Sequence, residues 1–268
     1  MKILIFIDKL SSSPTKDEED TLIEANEVKS ALVKLGHNVI ISNFDFNLNN
    51  NLEIINKENP NLIFNLVETL EGSSTLHIAP LLFEKKEIKY TGGTSSSLFL
   101  TGDKILGKYF FKSLNIKYPK FYYKKSNKVS SSLINNKVIV KQIDQEASCG
   151  IDDNCVTTFK NSSEIRTFIK KNPNMFIEEY IVGKEFNVSV LSIDSKIIVL
   201  PIAKMEFNNF PKDKPQILNY KSKWDEDSFE YKNTNRTFNL INEDQALIKK
   251  MSDISKKCYI GLGRKGYL

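Results

Sequence analysis

The sequence predicts an α/β protein that opens with a parallel sheet and continues into a strand-rich lobe. Three observations carry this. A short, wholly apolar run, Ile3 to Ile7, stands at the N-terminus and is bounded by a polar loop, as interior parallel strands are. Apolar residues then recur at helical spacing at Leu22, Ala25, Val28, Leu32 and Leu35. From Lys120 onward, runs of strand character (FYY, KVIVK, CVTTF, MFIEEYI, EFNVSVL) follow one another around short loops.

The first helix begins after SSSPTKDEED, whose acidic residues suit the positive end of a helix dipole. Gly36 stands where a left-handed cap belongs. Val39 to Ile41 is a second strand and Leu62 to Val67 a third. Thr75 to Glu84 reads as a short helix with Leu76, Ala79, Pro80 and Phe83 on one side, Pro80 being tolerable only in a first turn or at a break. The β-α-β-β-α order predicts an open, largely parallel sheet over about the first 93 residues. A dinucleotide-binding variant is excluded, because DKLSSSPTK after the first strand has no glycine to admit a pyrophosphate.

Thr101 to Asn115 reads as one helix with Ile105, Leu106, Tyr109, Phe110 and Leu114 as its buried face. In the strand-rich lobe a helix from Ser162 to Lys171 intervenes, with serine as its N-cap. Strands continue through Lys196 to Glu206, Pro211 to Arg236 reads as polar loop, and Glu243 to Gly261 as a helix presenting Leu247, Met251, Ile254 and Cys258 on one face.

With 268 residues, 40% of them hydrophobic and 26% charged, the chain is ordinary globular material for two or three modest domains. The net charge of +5 comes mostly from lysines and fits a small polyanion as well as it fits nucleic acid. No arginine cluster interleaved with aromatics argues for nucleic acid, and the longest apolar run, Ile197 to Ile202, is far too short for a membrane span. MKILIFID reads as a buried strand and not as a signal peptide, so a cytoplasmic location is expected. Cys149, Cys155 and Cys258 are expected to be reduced thiols, and His37 and His77 are too few for a histidine metal site.

Three segments carry chemistry. In VIVKQIDQEASCGI, Lys141 ends a very apolar strand and a small-residue loop, Ala147 to Gly150, follows. A lysine in that setting attracts an anion, and small residues leave backbone N–H groups open to phosphate oxygens. In MFIEEYIVGKEFNVSVL, Glu178 and Glu179 end one strand and Glu185 lies just past the turn at Gly183. An extended segment can read an adenine edge with its backbone, and a carboxylate can hold a ribose. The third is Thr101-Gly102-Asp103-Lys104 at a helix start. Taken singly, each also fits a bland reading: a surface lysine and turn, a charged hairpin at a sheet edge, a capped helix with a solvated lysine.

Together, in this order, the segments resemble the ATP-grasp superfamily, and within it the D-alanine–D-alanine ligase family. FNLVETLEGSSTLHIAPLLFEKKEIKYTGG is similar to the N-terminal domain of that family's atypical members, with NLVE where others carry a glycine-rich loop. The resemblance implies an N-terminal parallel-sheet substrate domain over 1–93, an ATP-grasp small lobe over 94–185 and a large lobe over 186–268 that lacks its last strands. It implies that Lys104 and Lys141 contact ATP phosphates and that Ser148 and Gly150 belong to a closing phosphate loop. Glu178, Glu179, Tyr180 and Ile181 would form the strand facing adenine, with the backbone of the last two reading its edge, and Glu185 would hold the ribose. Lys223 in NYKSKW would approach the terminal phosphate, with Lys221 a competing alignment, and Glu68 would face the first substrate.

The implied activity is ATP-dependent joining of a carboxylate to an amine through an acyl phosphate, on amino-acid or dipeptide-precursor substrates, with a homodimer compatible. The implied cofactors are ATP and magnesium. The family's magnesium ligands, an arginine–aspartate strand and then a glutamate–asparagine strand, are not found in 1–268, which closes on CYIGLGRKGYL. Arg264 precedes the first of these positions, and Asp225-Glu226-Asp227 reads as a solvated turn, so no metal ligand is assigned. The alternative expectation is a catalytically inactive, nucleotide-binding remnant of such a ligase.

Overall fold

A computed structural model describes the chain except Thr69, Leu70, Glu71, Asn242 and Arg264. The chain divides into two compact units. The first comprises 1–103, 191–196 and 259–268, and the second 104–190 and 197–258.

In the first unit, β1 (Lys2–Asp8), α1 (Lys16–Lys34), β2 (Asn38–Phe44), α2 (Leu48–Glu58), β3 (Leu62–Leu66), α3 (Ile78–Lys85) and α4 (Ser95–Thr101) follow in order. The strands form a parallel sheet in the order β2-β1-β3. β1 is buried on both faces. Leu4 and Phe6 point into a cluster with Phe44, Ile63, Phe83 and Tyr90, while Ile3, Ile5 and Ile7 point into another with Ala25 and Leu66. That double burial is why the run is uniformly apolar, and it needs helices on both sides.

Helix α2 corrects the β-α-β-β-α expectation to β-α-β-α-β-α. Strands that run parallel in one sheet need crossover connections, and α2 supplies the one that carries the chain from β2 past β1 to β3. Its sequence hides it: LNNNLEIINKE is rich in asparagine, a weak helix former. Asn47 caps its start by accepting from Asn49 N, Asn59 closes it in the left-handed region (φ 42°), and Ile55 is buried. Leu22 and Leu35, assigned to the inner face of α1, are exposed; Ala25 is buried, and Val28 and Leu32 pack against the core. The helix expected at Thr75 to Glu84 is a 3-10 turn at Ser73–Thr75 followed by α3, with Pro80 in its first turn.

The single helix expected over Thr101 to Asn115 is broken into α4 and, in the second unit, α5 (Lys104–Ser113). Gly102 makes the break: a Cβ there would lie 2.1 Å from the Ser73 carbonyl oxygen, and the Ser73 hydroxyl donates to the Gly102 carbonyl at 2.6 Å. On α5 the buried positions are Ile105 and Lys108, whereas Tyr109 is 47% exposed.

The second unit continues with β4 (Phe121–Tyr122), β5 (Lys137–Gln142), β6 (Val156–Thr158), α6 (Ser162–Lys171), β7 (Met175–Glu179) and β8 (Glu185–Asn187). The hairpin of β9 (Val190–Ile193) and β10 (Lys196–Val199) is divided between the units, and β11 (Ala203–Phe207), α7 (Tyr220–Trp224), α8 (Phe229–Asn233), β12 (Thr234–Thr237) and α9 (Gln245–Gly261) follow. One antiparallel sheet runs β4-β7-β5-β6 and another β12-β11-β8. The N-cap of α6 is Asn161, accepting from Glu164 N at 3.0 Å, and not Ser162. The stretch Pro211 to Arg236 is not simply loop. It holds α7 and α8, capped by Asn219 and Ser228, and β12. On α9, Cys258 and Tyr259 are the buried residues, whereas Ile254 is exposed. Among the described residues no helix is long and apolar enough to cross a membrane.

Candidate nucleotide site

Strands β5 and β7 give the second unit a sheet with two unlike faces. Alternation sends Val138, Val140 and Ile177 to one face, where they pack with Ile165 and Ile169 of α6. Ile139, Lys141, Phe176 and Glu178 therefore share the other. The register sets Ile139 opposite Glu178 and Lys141 opposite Phe176, and sets Phe121 of β4 on the far side of Glu178.

Glu178 is buried and receives two lysines. Lys141 Nζ lies 2.9 Å from its Oε1, and Lys108 of α5 pairs with its Oε2. The Lys108 ammonium also lies 5.3 Å from the ring centroids of both Phe121 and Phe176, a cation–π sandwich. The Glu178 carboxylate is thus committed to lysines, and the exposed end of the segment is the backbone beyond it. Tyr180 N donates to Lys137 O at 3.2 Å, Glu179 accepts from Lys120 N at 2.8 Å, and Ile181 and Val182 are open to solvent. Burial pushes the Tyr180 phenol up, against a hydrogen bond with the Gln216 backbone.

Glu185 begins β8 opposite Met205 of β11. Burial raises its acid above the usual carboxylate range, and Lys141 and Lys223 pull it back. The residues that sequence separates by dozens of positions, Lys141, Glu185 and Lys223, therefore share one electrostatic neighbourhood. Lys221 acts instead on Glu230, whose acid burial would raise but hydrogen bonding from Lys214 holds low. Of the two candidate lysines, Lys223 is the one whose charge lowers the Glu185 acid.

The small-residue loop is turned by three left-handed residues: Ala147 at φ 53°, Ser148 at 64° and Gly150 at 71°. At Gly150 a side chain would be strained, and its Cβ would meet Gln142 Nε2 at 3.0 Å. Three hydrogen bonds tie this loop to the segment bearing Lys223: Trp224 Nε1 to Ala147 O at 2.9 Å, Ser148 Oγ to Leu218 O at 2.7 Å, and Tyr220 N to Ile151 O at 3.0 Å. Lys104, at the start of α5, reaches the same loop. Its ammonium donates to Gln145 O and lies 3.2 Å from Glu146 Oε1.

A model of the family described as D-ala D-ala ligase C-terminus matches residues 115–268. The chain belongs to the D-alanine–D-alanine ligase family. It is 30% identical to D-alanine--D-alanine ligase of Pelagibacter ubique over 198 residues, covering 71% of this chain and 61% of that protein. It is 31% identical to the ligase of Wolbachia pipientis wMel over 188 residues, covering 68% and 56%. An uncharacterized Sinorhizobium fredii protein, y4sG, is 25% identical over 187 residues, covering 68% and 55%. The matches thus span 55–61% of the length of these relatives. The fold matches D-alanine--D-alanine ligase from Bacillus anthracis complexed with ATP at a TM-score of 0.67 and 18% identity, over 100% of this chain and 79% of that one. It matches D-alanyl-alanine synthetase A from Vibrio cholerae at 0.69 and 14%, over 99% and 82%.

Among the described residues no group of three or more His, Cys, Asp or Glu side chains could hold a metal ion. In the acidic turn, Asp227 lies 3.7 Å from Lys232, and the Asp225 backbone carbonyl accepts from Ser228 Oγ. Arg264 is outside the described residues. Glu68 lies in the first unit. Its N–H donates to Asp8 Oδ2 at 2.7 Å, and burial, then Glu24, Asp8 and Asp20, push its acid up to about 7. Sequence reasoning missed Lys108 and Trp224. Lys108 stands four residues after Lys104 and so on the same side of α5, a signal that was available. Trp224, the chain's one tryptophan, directly follows Lys223.

Proposed function

We propose that the second unit binds ATP and that the chain serves an ATP-dependent carboxylate–amine ligase of the D-alanine–D-alanine type. The observation that carries this is Lys141 held against Glu178 on the open face of the sheet and Lys104 bonded to the small-residue loop, with the charges of Lys141 and Lys223 both acting on Glu185. A triphosphate supplies the negative charge these lysines match. In this reading Lys104 and Lys141 hold its phosphates, and Lys223 the terminal one. Ser148 and Gly150 let the loop close over them, the Tyr180 and Ile181 backbone reads adenine, Glu179 steadies that strand, and Glu185 takes the ribose hydroxyls.

The reaction would move the terminal phosphoryl group from ATP to a substrate carboxylate, giving an acyl phosphate and ADP. An amine then attacks the acyl carbon and inorganic phosphate leaves. The contribution of the lysines is positioning and stabilisation of charge on the transferring group. Glu68 would face the first substrate. Amino-acid substrates, a cytoplasmic location and a homodimer come with the same reading.

The missing donor set for magnesium among the described residues favours a second, narrower reading for 1–268 taken alone: nucleotide binding without phosphoryl transfer. Calorimetric titration of this polypeptide with ATP, run beside a phosphate-release assay with D-alanine, tests both. Saturable binding with background phosphate release supports the narrower reading, binding with D-alanine-dependent release supports the ligase reading for this chain itself, and no binding overturns both.

A further inference from the structure

Glu178 needs one counter-charge and has two. Its residue is 5% exposed, and a carboxylate taken out of water must be paired. The two lysines are not equivalent. Lys108 is 8% exposed and enclosed by the Phe121 and Phe176 rings, so it has nowhere else to go. The Lys141 side chain is 31% exposed, so it can turn to another anion.

We propose that Lys108 is a positioning residue for the nucleotide site: by serving as the permanent counter-ion of Glu178, it leaves the Lys141 ammonium oriented by that carboxylate but free to engage phosphate. Without Lys108, Lys141 becomes the sole counter-ion of a buried charge and is drawn into that pair. Lys108 touches no substrate in this scheme and acts entirely through Glu178. The inference rests on the nucleotide reading for its consequence, but the local claim, that Lys108 governs the availability of Lys141, stands on the geometry alone.

The test uses the 1–268 chain and four variants: Lys108→Met, Lys108→Arg, Lys141→Met and the double variant Lys108→Met/Lys141→Met, with circular dichroism to establish folding. ADP affinity is measured by calorimetry. In parallel, the rate at which an amine-acylating reagent labels Lys141 is read by peptide mass spectrometry. Lys108→Met is expected to weaken ADP binding about tenfold, the scale of one charge-assisted hydrogen bond. In the Lys141→Met background the same change should matter by less than about twofold, because the two residues act as one unit. Lys108→Arg, which keeps the cation between the rings, should restore most of the affinity. Labelling of Lys141 should slow several-fold in Lys108→Met and recover in Lys108→Arg.

A merely structural role for Lys108 would lower thermal stability and leave the labelling rate of Lys141 and its coupling to Lys108 unmoved; that result overturns the proposal. If the unaltered chain binds no ADP while Lys141 labelling still responds to Lys108, the nucleotide reading fails and the positioning relation stands. If Lys108→Met fails to fold, Lys108→Arg decides: slowed Lys141 labelling there, despite a retained cation, contradicts the scheme, and an unchanged rate supports it.

Discussion

The two sheets of this protein use the same backbone for opposite ends. In the first unit β1 is buried on both faces, its side chains divided between two apolar clusters, and nothing charged lies between Ile3 and Ile7. In the second unit β5 and β7 bury one face against α6 and give the other to Lys141 and Glu178, with Lys108 laid across it. A strand that packs on both sides can only hold position. A strand that packs on one side can present charge from a rigid support, and the low-polarity surroundings make each charge count for more. The first sheet is scaffold; the second is scaffold and carries the site we propose.

The largest effect that could break this comparison lies in the scaffold. Phe6 is fully buried, with its ring 5.5 Å from Phe44 and 5.8 Å from Phe83. Phe6→Ala is expected to cost about 3–5 kcal/mol in urea unfolding. The nucleotide affinity of the folded fraction should not change. A lowered affinity without a stability loss would mean that β1 takes part in the site.

A smaller effect sharpens the view of the loop. Trp224→Phe keeps the ring volume nearby but deletes the N–H to the Ala147 carbonyl, a loss of about 1 kcal/mol. Hydrogen exchange over 146–151 should quicken while α6 and β7 keep their protection, since lids are drawn from the less stable parts of a structure. Unchanged exchange would show that Ser148 and Tyr220 hold the loop without help.

How much of this was legible depends on what each residue had to do. β1, β5 and α6 were visible because packing forces a pattern on them. The loop 146–151 was visible because only small residues suit its left-handed turns, as Gly150 at φ 71° illustrates. α2 was not, because its helix follows from the crossover demanded by a parallel sheet and not from its asparagine-rich sequence. α7 and α8 were missed because each is five residues long and looks like the caps and turns around it. Lys108 was missed for a different reason. Its spacing from Lys104 hinted at a shared face, but a lysine on an amphipathic helix reads as solvated, and the register of β4, β5 and β7 is what places a carboxylate and two rings around it.

The smallest effect concerns the acidic patch of the first unit. Burial first, and then Glu24, Asp8 and Asp20, raise the Glu68 acid from 4.5 to about 7. A raised carboxylate stabilises the fold fully below its unfolded value, and that contribution is lost as the pH climbs from 4.5 through about 7. Glu68→Gln, which stays neutral, should therefore be more stable than the parent at pH 8. The gain is about 1 kcal/mol, less than the full shift implies because solvent reaches the side chain. Near pH 4 the two should melt alike. Equal melting at both values would remove the acidic patch as a source of strain.

The central claim is that the charged face of β5 and β7, with Lys141 at its edge, is a nucleotide site. Calorimetric titration of ATP into 1–268 and into Lys141→Met, each with and without magnesium, tests it most directly. The account predicts saturable binding under both conditions and a severe loss of affinity in Lys141→Met. Binding that survives Lys141→Met unchanged, or no binding by a folded parent chain, would contradict it.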